Sequence, residues 1–149
     1  MKTTKYQLAI ICTFLWIGFV CAISFMEAWL KFRAPGVTVP IGLGIGRLVF
    51  GALNLMEWVF AILIMGNLLF SKTKLLTRQN TLYFFPLLML LLETFWVLPT
   101  LDHRAELYIQ GETLAASNLH FYYVGMEVIK VVWLTIFGIK LFSKKKKKK

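Results

Sequence analysis

The chain has 149 residues, of which 58% are hydrophobic and 16% charged, at a mean hydropathy of +0.70; those proportions exclude a soluble domain. The net charge of +10 would suit a nucleic-acid partner, but six of those charges are the run Lys144 to Lys149 and most of the others flank apolar runs. Membrane topology accounts for them, and no nucleic-acid partner is expected.

A hydrocarbon core of ~30 Å takes about 20 apolar residues in a helix, and four runs are long enough: roughly residues 6–30, 43–70, 81–101 and 115–142. The fold expected is an all-α membrane protein, an up-and-down bundle of four transmembrane helices forming one integral membrane domain over residues 1–149. Residues 143–149 form a basic tail.

The first run follows Lys2 and Lys5, and Val20-Cys21-Ala22 loosely fits a signal-cleavage site, but the run continues to Leu30, beyond a signal core. An uncleaved first helix is expected. Cys12 and Cys21 both lie inside this run and act as small hydrophobes, with no disulfide framework to offer. Ser24, Glu27 and Lys31, three and four apart, share one face.

The first connector, Lys31 to Gly42, contains Pro35, Gly36 and Pro40. Gly42, Gly44 and Gly46 resemble a phosphate loop in letters only, since no strand precedes them; Gly42 and Gly46 at i, i+4 point to close helix packing. An anion held at that helix start by Arg47 is a further reading. Within the second run Arg47, Asn54 and Glu57 fall on one face, at intervals of seven and three.

After the connector Ser71 to Asn80, the third run has one charge, Glu93, with Pro86 seven residues before it and Thr100 seven after. Asp102 to Leu114, with Asp102, His103, Arg104, Glu106 and Glu112, is expected as a charged external loop. The fourth run aligns Ser117, His120, Tyr123, Glu127 and Lys130 on one face. The tryptophans and Tyr122 are expected as interface anchors or packing.

Basic residues of short loops stay on the cytoplasmic side. Lys2 and Lys5, the group Lys72, Lys74 and Arg78, and the lysine tail share one side of a four-span chain, so both termini are expected in the cytoplasm. Bacterial origin would make the location the inner membrane. The tail reads first as a solvated or non-native run of charge; its second reading is attraction to anionic lipid, at about 1 kcal/mol per lysine near the surface.

Each span carries one glutamate, Glu27, Glu57, Glu93 or Glu127. Each costs at least roughly 2.5 kcal/mol in hydrocarbon unless it turns inward to a partner. With a rise of ~1.5 Å per residue, Glu57, Glu93 and Glu127 lie deepest. Glu27, Arg47 and His120 are shallower, giving an outer funnel with a basic rim of Lys31, Arg33 and Arg47. The candidate site is therefore Glu27, Arg47, Asn54, Glu57, Glu93, His120, Tyr123, Glu127 and Lys130.

That constellation supports a structural ion-pair network, with Glu127 and Lys130 at i, i+3 and Glu27 and Lys31 at i, i+4. A second reading, behind the structural one, is a path for protons, cations or a small ligand, because carboxylates at low dielectric exchange protons near neutral pH; with no internal repeat, transport would need a homo-oligomer. A third reading is a membrane enzyme holding metal between carboxylates, but the Glu-x-x-His spacing is missing and His120 lies about 10 Å along the axis from Glu127. A structural or accessory role in a membrane complex is the fourth. Catalytic residues stay unassigned, with Glu57, Glu93, Glu127 and His120 the set that the enzyme reading would use; no metal or cofactor is expected, and a non-enzymatic protein is favoured. Glu93 stands apart, having no basic partner at i±3 or i±4.

Three strings, FMEAWLKFRAPGV from Phe25, GIGRLVFGALNLMEW from Gly44 and LDHRAELYIQGETLAASNLHFYYVGMEVIK from Leu101, carry a likeness. They resemble small bacterial four-span membrane proteins of unknown function, distant relatives of transmembrane protein 205. The resemblance covers about half the chain. It implies a four-span fold, with no catalytic residue or cofactor, and its strings overlap the polar stripes.

Overall fold

The computed structural model describes residues 6–71 and 78–142, and every regular element among them is helical. Four helices dominate: α1 Gln7–Arg33, α2 Val39–Phe70, α3 Phe84–Ile109 and α4 Leu119–Phe142, with a single turn at Arg78–Thr81. Helices α1, α2 and α3 are long and apolar enough to cross a membrane. Helix α4 has 24 residues, a length of about 36 Å.

Backbone chemistry sets the boundaries. Helix α1 stops at Arg33 because Ala34 precedes Pro35 and is extended, at ψ 134°. Pro40 sits in the first turn of α2, where its missing N–H has no partner to lose, so α2 begins four residues before Leu43. Gly36 and Gly111 take φ of +82° and +90° in the two connections, a region open to glycine.

The third connector corrects the sequence reading. Asp102, His103, Arg104 and Glu106 are not in a loop; α3 runs on to Ile109, with neither Pro nor Gly between Pro99 and Gly111. Asp102 and Glu106, one turn apart, both face Arg47 of α2. At the other side of the gap, α4 begins at Leu119 and not at 115. Ser117 lies outside the helix, its hydroxyl accepting the Leu119 N–H at 3.2 Å, and so leaves the fourth stripe.

Two stretches widen into π-helix, Cys21–Glu27 in α1 and Glu93–Val97 in α3. Such turns are rare and tend to fall at sites that do something. The α3 case has a local cause. Pro99 offers no N–H and its ring crowds the carbonyl of Phe95, while Thr94 donates its hydroxyl to the Leu90 carbonyl at 2.7 Å, both loosening the ladder.

Helix α1 packs on α2 and α4, and α3 packs on the same two. Paired contacts run in opposite directions along neighbours: Ala9 meets Asn67 and Trp16 meets Glu57, while Asn54 meets Thr94 and Arg47 meets Asp102. Neighbouring helices are therefore antiparallel. Towards the chain termini the interior is mainly apolar, built from Cys12, Ile64, Leu68, Leu134, Phe137 and Leu141, with the buried Thr13, Ser71 and Asn80 among them. The buried charges begin at Glu57, and polar groups continue from there to the connecting loops.

The surface reverses a soluble protein's pattern. Leu48, Phe70, Phe95 and Phe121 are 73 to 89% exposed, whereas Glu57, Glu93, Glu127 and Lys130 are at most 1% exposed. Lipid suits such an exterior, and the charges it rejects are gathered inside. Lys2, Lys5, Lys72, Lys74 and Lys144 to Lys149, on which the expected orientation and lipid-binding tail rest, lie outside the described residues.

Candidate functional site

Helices α2, α3 and α4 each bring a glutamate to one lysine. The Lys130 ammonium lies 2.5 Å from Glu57 Oε1 and 3.1 Å from Glu127 Oε2, and contacts Glu93 Oε2. Lys130 sits near the middle of α4, about 17 Å from either end. Its amphipathic stem lets an ammonium leave one helix and reach two others. Glu93, with no partner on its own helix, finds one across the interface.

Neighbouring donors distribute unevenly over the three acids. Trp16 of α1 donates its indole N–H to Glu57 Oε1 at 2.7 Å. Glu127 Oε1 accepts the Tyr123 hydroxyl at 2.6 Å and the Ser24 hydroxyl at 3.1 Å, and the two hydroxyls are 3.3 Å apart. Among the described residues Glu93 Oε1 accepts no hydrogen bond, and Glu127 Oε2 has only the Lys130 charge beside it.

Above this centre lies a cavity of about 500 Å³ that reaches towards the loop end. Its floor holds Tyr123, Asn54 and Thr94. The Thr94 hydroxyl accepts from Asn54 Nδ2 at 2.9 Å and from Trp58 Nε1 at 3.0 Å, which ties α2 to the widened turn of α3. Phe32, Phe50, Leu43 and Leu98 supply apolar wall. Gly42 and Gly46 make room for neighbours from α1: a Cβ at Gly42 would fall 2.1 Å from the Phe32 ring, and one at Gly46 3.0 Å from Lys31 Nζ.

The mouth carries the remaining charges. Lys31 pairs with Glu27 at 3.2 Å, and its ammonium lies 5.0 Å from the Phe50 ring. Arg47 holds Asp102 through two bonds, Nε to Oδ1 at 2.6 Å and Nη2 to Oδ2 at 3.1 Å, and its Nη1 contacts Glu106. His120 is exposed and lines the cavity.

The nine residues drawn from the sequence thus fall into separate groups. Glu57, Glu93, Glu127, Lys130 and Tyr123 meet at the centre; Asn54 joins the cavity floor; Glu27, Arg47 and His120 stand at the mouth, where Glu27 and Arg47 pair with different partners. Sequence reasoning passed over Trp16, Thr94, and the pairing of Asp102 and Glu106 with Arg47. A signal for Trp16 existed: residues 16, 20, 24, 27 and 31 follow helical spacing on the face that holds Ser24 and Glu27.

One oxygen from each of Glu57, Glu93 and Glu127 lies within 4.8 Å of the other two, close enough for the three to hold a metal ion. The Lys130 ammonium already contacts all three acids, so an ion binding them at ~2.0–2.6 Å would have to displace it. The chemistry of the centre is governed by charge balance. Three carboxylates around one ammonium carry two negative charges too many for a dry interior, where an unpaired charge costs several kcal/mol or more. Two protons, or an added cation, would make up the difference.

An outward-facing apolar surface around an internal charge centre defines a helical membrane protein. Comparison of the chain with protein-family models, curated protein sequences and solved structures finds no match.

Proposed function

We propose that the protein spans the membrane four times with both termini cytoplasmic, and that the centre around Lys130 is a proton-loading site served by the outer cavity. The observation that carries this reading is the sharing of one ammonium among three buried carboxylates. A purely architectural pair needs one acid for one lysine; two more acids, each costly in lipid, are surplus unless they hold something. Protons fit the space, because the ammonium already lies among the oxygens and leaves a larger cation nowhere to sit without displacing it. Glu93, with fewest donors, is the acid that keeps a proton.

Helix α4 counts as the fourth span in this reading, its charges being matched by Glu57 and Glu93 on neighbouring helices. The apolar layer of Ile64, Leu68, Leu134 and Phe137 closes the cytoplasmic half. Protons therefore enter and leave from one face in this conformation, and passage across the membrane requires a second conformation or a second copy of the chain.

The test is infrared spectroscopy of the full chain in lipid vesicles at neutral pH. A protonated-carboxyl band that shifts in heavy water is expected, weakened in Glu93→Gln. A wild type without that band would overturn the reading.

A further inference from the structure

The cavity and the charge centre touch at one side chain. Among the described residues that line the cavity, Tyr123 is the one whose side chain hydrogen-bonds an acid of the Lys130 centre. Its ring is wedged against Phe50 of α2, edge to face with centroids 5.3 Å apart, and packs with Val97 of α3. Its hydroxyl is 2.6 Å from Glu127 Oε1 on its own helix and 3.3 Å from Ser24 of α1. The residue is 2% exposed, so it fills the neck between cavity and centre.

A phenol hydroxyl both donates and accepts, as a carboxylate or ammonium alone does not. We infer that Tyr123 is the proton gate of the centre, relaying protons from cavity water to Glu127. This rests on the proton-loading reading above. In the inward step a hydronium in the cavity gives its proton to the Tyr123 oxygen while the tyrosine O–H proton passes to Glu127 Oε1. One O–H bond breaks and one forms at the tyrosine, the carboxylate becomes a carboxylic acid, and water remains in the cavity.

Lys130 extends the relay. In contact with Glu93 Oε2, it hands an ammonium proton to Glu93; the Glu127 carboxyl then turns its new O–H from Tyr123 towards the lysine, 3.1 Å from Oε2, that O–H bond breaks and Lys130 ends as ammonium again. Ser24 is placed differently. Its hydroxyl bonds Glu127 without lining the cavity, so it steadies the acceptor and carries no traffic.

The experiment follows the protonated-carboxyl band of vesicle-reconstituted full-length protein after transfer into heavy water. Tyr123→Phe, which deletes only the hydroxyl, is expected to keep the band at equilibrium and slow its exchange by about 100-fold, the lower end of what a positioned proton donor contributes. Thr135→Ala, which removes a hydroxyl that donates to the Val131 carbonyl of its own helix, is expected to exchange at close to the wild-type rate. Fluorotyrosine at position 123 keeps ring and hydroxyl but donates more readily, and exchange should quicken, a response that a merely packing role would not give; it also stands in where Tyr123→Phe fails to fold. A wild-type band together with unaltered exchange in Tyr123→Phe, or in fluorotyrosine protein, overturns the gate alone. A wild type with no band overturns the proton-loading site and the gate together.

Discussion

Lys130 and Arg47 are both cations facing more than one carboxylate, and their surroundings make them different devices. Arg47 joins α2 to Asp102 and Glu106 of α3 at the loop end, where the three side chains are 27, 51 and 43% exposed. Lys130 joins α4 to Glu57 and Glu93 with all side chains at most 1% exposed. At the mouth, water and salt absorb the unequal charge count, and the planar fork of arginine suits the paired oxygens of Asp102. At the centre the side chains are buried, and under the proposed function the surplus charge is met by bound protons. Burial, not the number of ion pairs, is what separates the clasp at the mouth from the titrating site proposed at the centre.

The largest effect in this contrast should come from Lys130→Met. It leaves three acids with no ammonium, and removal of one partner from a buried pair costs about 3–5 kcal/mol, read by denaturant unfolding in micelles. The sign of the pH dependence follows by linkage. The folded variant must keep all three acids protonated, whereas the unfolded chain sheds those protons at neutral pH; the folded state then binds more protons, and stability falls as pH rises. Adding Glu93→Gln should recover part of the loss. Wild-type stability in Lys130→Met at neutral pH would sink the claim that the centre depends on its ammonium.

A middle-sized effect is expected for Trp16→Phe. The indole N–H donates to the buried Glu57 Oε1, and losing a donor to a buried charged acceptor costs about 1–3 kcal/mol. Trp29 supplies the internal comparison: its N–H donates to the Phe25 carbonyl at 2.8 Å, but at an exposed position. Trp29→Phe should scarcely change the unfolding midpoint. Equal losses at the two sites would show that burial does not set the difference.

The sequence exposed the parts of this arrangement that depend on one helix at a time. Periodicity put Tyr123, Glu127 and Lys130 on one face of α4, and Asn54 and Glu57 on one face of α2, because a helix repeats regularly enough for spacing to fix direction. Composition marked the chain for a membrane. Which faces meet is a property of packing, and the α4 stripe alone could not show that Lys130 reaches past Glu127 to Glu57 and Glu93. The charges from Asp102 to Glu106 looked like a loop because polarity outweighed propensity; the partner that makes helix favourable there, Arg47, is 55 positions away. The widened turns at Cys21–Glu27 and Glu93–Val97 were also hidden. Pro99 and Thr94 offered a hint for the second, and nothing in the local pattern did so for the first.

The smallest effect belongs to Arg47→Ala, although Arg47 makes more hydrogen bonds to carboxylates than many buried residues do. Long side chains held at a wet surface lose rotamer freedom and exchange good hydration for the ion pair, so the two sides nearly cancel. The unfolding midpoint of Arg47→Ala should therefore move less than that of Trp16→Phe. Whatever movement remains should fade as salt is raised, since exposed charges are screened over ~10 Å at 0.1 M salt. The same salt series on Lys130→Met should leave its loss almost intact, because ions do not enter the dry centre. A double-mutant cycle of Arg47→Ala with Asp102→Ala, run at low and high salt, isolates the pair from any change in helix propensity. A coupling at Arg47 as large and as salt-resistant as that at Lys130 would mean that the mouth is closed to water, and the cavity would then lose its claim to be the route by which protons reach the centre.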